Sequence, residues 1–190
     1  MEVLKGLLQK ELGFLPEGMD SLLERGEWLQ LPSKHILIEA GRMNPDIYIV
    51  YDGIIKFSDM DGDKERTFAF ALPGSMIMSK HCFVMHQPSY YQIDTCCPTT
   101  VLRIKEKDFW EVMNTSHSVA IWALHYAYGE LFYQEYKNNN IHNGTAKERF
   151  RAILKDRPSI IEKVPQRIIA SYLGITPEYF SVLKRQIVHE

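Results

Sequence analysis

Cysteine is scarce in this 190-residue chain, and the scarcity excludes two classes of protein. Cys82, Cys96 and Cys97 are odd in number, lack any C-x-x-C spacing, and include an adjacent pair that rarely bonds to itself. A disulfide scaffold and a spaced thiolate metal site are therefore ruled out, and a reducing cytoplasm is the expected setting. Long apolar runs are missing as well. None approaches the ~20 residues that cross a bilayer, and charges interrupt the N-terminal "MEVLKGLLQKELGF", so neither a membrane span nor a secretion signal is read. Catalytic signatures are also lacking. There is no G-x-S-x-G and no phosphate-cradling glycine loop, and His35, His81 and His86 lack the close His-x-His plus carboxylate of a cupin-type metal centre. An enzyme is not expected, nor a resident metal. His81-Cys82, with His86 nearby, could ligate haem or a metal, but a lone His-Cys pair is more often structural. A thiol switch at Cys96 or Cys97 has no sequence neighbour that would lower a thiol pKa.

Nor is there a large excess of one charge. The net charge is −2, with 45% hydrophobic and 24% charged residues, which is the composition of an ordinary globular chain. The distribution is uneven, however. From Thr145 to Glu190 nine Lys/Arg face five Asp/Glu, so a basic C-terminal part follows an acidic body. That asymmetry fits a chain whose last segment meets a polyanion.

The first ~25 residues mix leucines at helical spacing with Gly and Pro breaks and read as short helices. From Trp28 to about Ile104 come short β-favouring runs: "WLQL", "HILIEA", "IYIVYDGIIKFS", "RTFAFAL", "YYQIDT" and "TVLRI". Turn residues at regular intervals punctuate them, which predicts an antiparallel barrel or sandwich. Asp61-Gly62 is the strongest hairpin signal, because a two-residue turn needs φ > 0. From Ser118 to about Asn138 one long helix is predicted, with a seam through Ile121, Leu124, Tyr128 and Leu131 at the 3-4 spacing of a two-helix dimer contact. The same helix could instead be a core element of a monomer. Residues 138–144 are the expected hinge, giving a β domain over 1–115, a helix and hinge over 116–140 and a terminal domain over 141–190.

The terminal stretch "PQRIIASYLGITPEYFSVLKRQ" predicts a helix-turn-helix. Ala170 suits the crossing point and Gly174 the left-handed turn, while Ile169, Leu173, Ile175, Phe180 and Leu183 lock the pair. Thr176 is a good N-cap, and Pro177 suits the first helical position. In such a unit the second helix enters the major groove, exposing Thr176, Pro177, Glu178, Ser181, Val182 and Arg185 to base edges. Lys184 and Arg185 are candidates for phosphate or guanine, and Gln166 and Arg167 for clamping the backbone.

These features together, with Gly53 in "IYIVYDGIIKF", Pro73-Gly74 in "FALPGSMI" and "LRIKEKDFWEVM" before the long helix, resemble the Crp/Fnr family of transcription regulators. "VPQRIIASYLGITPEYFSVLKRQ" is similar to the branch common in Bacteroidetes. The resemblance implies an α+β chain: an antiparallel β-roll (a double-stranded β-helix of the cyclic-nucleotide-binding type), a long dimerisation helix and a helical helix-turn-helix domain. It also implies double-stranded operator DNA, a second copy of the chain and RNA polymerase as partners, with a small-molecule effector not identified by the sequence. Cyclic-nucleotide binders of the family carry a Gly-Glu pair and then an Arg-Ser-Ala stretch. The corresponding residues are Met78-Ser79 and Ser89-Tyr90-Tyr91, so the Arg that neutralises the phosphate and the Glu that holds the ribose are both replaced. Burying a phosphate without its cation costs several kcal/mol, so cAMP or cGMP is not expected as a cofactor. The expected pocket, beneath "PGSMIMSKHCF" and "PSYYQI", would include Gly74, Met78, Ser79, Ser89, Tyr90 and Tyr91. The family's N-terminal cysteine cluster is excluded, since the first 80 residues hold no cysteine. Relatives often read "TPETLSRIRK" where this chain has "TPEYFSVLKR", so Val182 replaces an Arg, and one bidentate guanine contact is worth ~1 to 3 kcal/mol of discrimination. The alternative from another class is a ligand sensor or protein-interaction module on the same fold.

Overall fold

Between Glu27 and Ile104 the chain is built from short strands whose alternate residues turn to a common interior. In the computed structural model, which describes residues 1–136 and 144–188, these strands form two four-stranded sheets. One has the order β1 (Glu27–Leu31), β8 (Thr99–Ile104), β3 (Ile47–Asp52) and β6 (Met76–Ile77). The other has the order β2 (Ile36–Ile38), β7 (Gln92–Thr95), β4 (Ile55–Asp61) and β5 (Lys64–Ala71). Every pairing is antiparallel, and Val50, Ile55, Ile93 and Val101 meet in a buried cluster between the sheets. The antiparallel β-roll and the α+β class expected from the sequence are what the chain forms. Gly53, at φ 98, makes the turn from β3 to β4, where a side chain would come within 2.7 Å of the Thr99 Cα. The β4–β5 hairpin is present too. Its two-residue loop is Gly62-Asp63, one residue later than the sequence suggests, because Asp61 still pairs with Lys64 and Gly62 takes the φ > 0 position.

Helices α1 (Glu2–Leu12) and α2 (Met19–Leu23) cover the first sheet, burying Leu4, Leu8, Leu22 and Leu23 against Ile47, Ile49 and Leu102. Trp122 of the long helix α5 (His117–Tyr136) joins the same cluster, after α3 (Lys80–Met85) and α4 (Glu106–Thr115). The expected hinge falls on residues outside those described, apart from Gly144. Beyond it a capping box at Thr145 and Glu148 starts α6 (Ala146–Asp156), followed by α7 (Pro158–Lys163), α8 (Gln166–Leu173) and α9 (Pro177–Val188). Among the described residues no helix is long and apolar enough to cross a membrane.

Candidate nucleic-acid interface and effector region

The pairing of α8 and α9 follows from a few apolar contacts. Ile169, Ala170, Leu173, Phe180 and Leu183 are all at most 1% exposed, and Phe150 of α6 meets Phe180 edge-to-face at 5.2 Å. Gly174 ends α8 in the left-handed conformation at φ 66, which turns the chain sharply. Thr176 then caps α9, its hydroxyl accepting from the Tyr179 N–H at 3.2 Å. Arg149 fixes the turn from outside, donating to the Leu173 carbonyl at 2.7 Å and to the Gly144 carbonyl at 2.6 Å.

The outer face of α9 carries the residues singled out by sequence. Thr176, Pro177, Glu178, Val182 and Arg185 are exposed, and Val182, at 41%, lies outside the packed core. Ser181 turns inward on the helix, donating to the Pro177 carbonyl at 3.0 Å, so its hydroxyl is already engaged. Lys184 is half-buried at the flank. The Glu178 carboxyl is held below its ordinary range by its own backbone N–H and by the Thr176 hydroxyl, and stays ionised at neutral pH. Tyr179, which sequence reasoning passed over, is 51% exposed and adds an aromatic side chain with a hydroxyl to the first turn. Its position beside Glu178 in the helical repeat was the available signal.

On α5 the faces separate. Val119 and Trp122 are fully buried, and the Tyr126 hydroxyl donates to the Met76 carbonyl of β6. Ile121, Leu124, Tyr128 and Leu131 are exposed on the other side, together with Phe132.

The residues expected around an effector are placed differently from one another. Ser79 and Ser89 are buried and bonded together at 2.9 Å, and Ser89 donates onward to the Tyr91 carbonyl at 2.7 Å. Met78 offers its carbonyl to the Tyr91 hydroxyl at 3.4 Å, and Tyr91 packs with Phe57 and Phe68 at centroid separations of 6.0 and 5.5 Å. Gly74 faces α1 instead, where a side chain would meet the Leu7 carbonyl at 3.0 Å, and Tyr90 points outward and stacks on His81. Lys80, the lysine of this segment, reaches Glu130 at 3.4 Å. The two serines thus satisfy each other, and among the described residues no cation is set to receive a cyclic phosphate there, so a nucleotide held in the usual mode of cyclic-nucleotide binders does not fit these residues.

Among the described residues no group of three or more His, Cys, Asp or Glu side chains is arranged to hold a metal. Cys82 is buried, its thiol donating to the Arg42 carbonyl at 3.5 Å. Burial, helped by the Asp94 charge, pushes the Cys96 thiol up to about 12, which leaves it protonated and inert at neutral pH.

One arrangement carries no local sequence signal. Lys56, on the outer face of β4, is 5% exposed, and its ammonium group contacts Asp94 at 2.9 Å, Ser58 at 3.0 Å and the Glu65 carboxylate. α8 lies over this face. A cleft of about 350 Å³ remains between them, bordered by Lys34, Lys56, Glu65 and Asp94 on the roll and by Arg167 and Ser171 on α8.

A family model described as the cyclic nucleotide-binding domain matches residues 28–116. Among solved structures, FixK2 from Bradyrhizobium japonicum superposes with a TM-score of 0.72 at 19% identity, covering 86% of this chain and 85% of that one. A CooA mutant from Carboxydothermus hydrogenoformans gives 0.64 at 18% identity, over 96% of this chain and 84% of that one. The Thermus thermophilus Catabolite Activator Protein gives 0.58 at 17%, over 96% and 87%. Curated protein sequences give no match. At such identities the likeness establishes the fold, and residue roles have to be argued from this chain.

Proposed function

We propose that this chain, whose residues 28–116 match the cyclic nucleotide-binding domain and whose fold is that of the regulators it superposes on, is a Crp/Fnr-type transcription regulator that binds operator DNA as a homodimer. The observation that carries the reading is α9: a capped helix, locked at the end of a helix-turn-helix, whose outer face keeps Thr176, Pro177, Glu178, Val182 and Arg185 out of the core. Such a face docks in the major groove, with Lys184, Arg185, Gln166 and Arg167 supplying phosphate contacts. Ile121, Leu124, Tyr128 and Leu131 form the dimer seam, since a row of exposed apolar side chains on a long helix is stable in water only when covered. The dimer sets two copies of α9 one DNA turn apart, about 34 Å.

The β-roll supplies the control. Its signal is a molecule other than cAMP, because the Ser79–Ser89 pair and the Tyr91 cluster take up the polar and aromatic capacity of the usual site. The protein then acts in the cytoplasm, with RNA polymerase as its partner at promoters, and falls in the Bacteroidetes-type branch that its terminal helices resemble.

Retention of the purified protein on duplex DNA, measured from low to physiological salt, tests the reading. Binding that falls steeply with salt is the expected result, and random-pool selection should return a two-fold-related site. Absence of retention even at low salt would remove the DNA-binding assignment in favour of a sensor or interaction module. A thermal-shift titration tests the effector: cAMP should leave the melting temperature unchanged, and a rise with cAMP would overturn the assignment of the pocket.

A further inference from the structure

β5 is the edge of its sheet, and an edge strand carries outward N–H and C=O groups that need partners. Two of them are met by one side chain of the helix-turn-helix. The Ser171 hydroxyl accepts from the Thr67 N–H at 3.0 Å and donates to the Glu65 carbonyl at 3.1 Å, as a neighbouring strand would. One residue on, Tyr172 meets Phe70 with ring centroids 5.0 Å apart, and Ile54, Phe70 and Cys96 of the roll share a buried cluster with the helices of the terminal unit. α8 is therefore gripped by the β4–β5 hairpin.

We propose that this hairpin is an autoinhibitory clamp, holding α8 through Ser171 and presenting Glu65 to Arg167 in place of a DNA phosphate. The inference rests on the DNA-binding reading above. Arg167 stands at the first turn of α8, where a backbone clamp belongs, and it borders the same cleft as Glu65. Glu65 is fixed there by Lys56. Burial works to raise its carboxyl, but the bonds from Lys56 and Ser58 and the charges of Lys56 and Arg167 prevail, so it stays ionised. The rest of the hairpin adds to the effect. Asp59, Asp61, Asp63 and Glu65 outnumber Lys64 and Arg66, and Arg66 is taken by Asp59 in two bonds of 2.7 and 3.0 Å. A polyanion approaching the start of α8 meets this acidic loop first. The cleft leaves the contact incompletely closed, which is a feature of a domain contact that can part.

Two substitutions in the full chain test the clamp. Ser171→Ala removes both bonds to the edge strand, and Glu65→Gln removes the surrogate charge while keeping the side chain's shape. Ser171→Ala should tighten binding to a selected duplex roughly tenfold at fixed salt, which is the loss of one or two ordinary hydrogen bonds from the closed state, and Glu65→Gln should tighten it by an amount that shrinks as salt rises. Hydrogen exchange at the Thr67 amide should also quicken in Ser171→Ala. DNA binding by the natural chain that is unchanged or weakened in both variants would overturn the clamp alone. No retention by the natural chain or either variant at low salt would overturn the DNA-binding reading and the clamp with it.

Discussion

Replacing Lys56 by alanine takes one cation from a place where two anions depend on it. The side chain is 5% exposed, and Asp94, its partner at 2.9 Å, is 8% exposed. Alanine leaves Asp94, among the described residues, with the weaker Gln92 amide contact at 3.3 Å. Breaking one member of a buried pair typically costs about 3 to 5 kcal/mol, because the survivor keeps its charge and loses its solvation. Against a total stability of about 5 to 15 kcal/mol that is a large fraction. The double replacement Lys56→Met with Asp94→Leu removes both charges, so it should recover most of the loss and could exceed the natural chain. Urea unfolding followed by circular dichroism, with midpoint and slope fitted for each variant, separates the two cases. The pH dependence supplies a further check. Burial alone would lower the Lys56 pKa, but Glu65 and Asp94 outweigh it and hold the group above its usual 10.5. A folded value raised in this way contributes stability that is complete below 10.5 and is lost as pH rises through the folded value. Glu65 has the opposite sign: held below its usual 4.5, it contributes above that value and loses the contribution as pH falls. In the alanine variant the deficit should therefore narrow as pH falls below 4.5, where the natural chain itself loses the Lys56–Glu65 contribution. A cost below about 1 kcal/mol at neutral pH, or a double variant as unstable as the single one, would refute this account of the triad.

Val182→Arg should fold normally, since Val182 is 41% exposed, and should redirect the sequence recovered by random-pool selection, with ~1 to 3 kcal/mol of added preference for a guanine. An unchanged selected site would show that α9 is wrongly placed in the groove. Leu131→Glu, on the exposed seam, should leave the melting of the single chain intact while halving the mass seen by sedimentation and weakening DNA binding at least ~100-fold through lost bivalency; an intact dimer would move the seam elsewhere. Phe180→Ala removes a fully buried ring that packs on Phe150 and should cost about 3 to 5 kcal/mol in urea unfolding, and a cost under 1 kcal/mol would contradict the packing described.

The parts that could be read from sequence are those whose causes are local. β-favouring runs between turn residues marked the strands of the roll, glycine at positive φ marked the β4–β5 turn to within one residue, and the helical repeat put Val182 outward and Leu183 inward. Lys56 and Ser58 went unread. Polar residues at every second strand position usually mark a solvated face, yet a helical layer covers this one and both are buried. No pattern within β4 or β5 announces a helix that arrives more than a hundred residues later. Ser171 was likewise a neutral position within "IIASYLG", because its partners, Thr67 and Glu65, are separated from it by 104 and 106 residues. Gly74 and Tyr90 were grouped with Ser79 and Tyr91 because the resemblance to cyclic-nucleotide binders runs through both stretches, whereas alternate direction along the chain sends Tyr90 outward and Tyr91 inward.

The roll interior and the clamp are joined by a single irregularity. The register of β4 with β5 slips between Phe57, opposite Ala69, and Ser58, opposite Thr67, so Phe68 is the extra residue of a bulge. A bulge bends its strand and adapts more readily than a regular ladder. Phe68 meets Tyr91 edge-to-face at 5.5 Å, while its neighbour Thr67 gives its N–H to Ser171. Displacement of the Tyr91 ring by a molecule entering the roll must be accommodated by Phe68, and the backbone that moves with Phe68 is the backbone that α8 holds. On the proposed reading the effector therefore needs no long relay to reach the helix-turn-helix: pocket and clamp lie on opposite faces of one strand, a single residue apart.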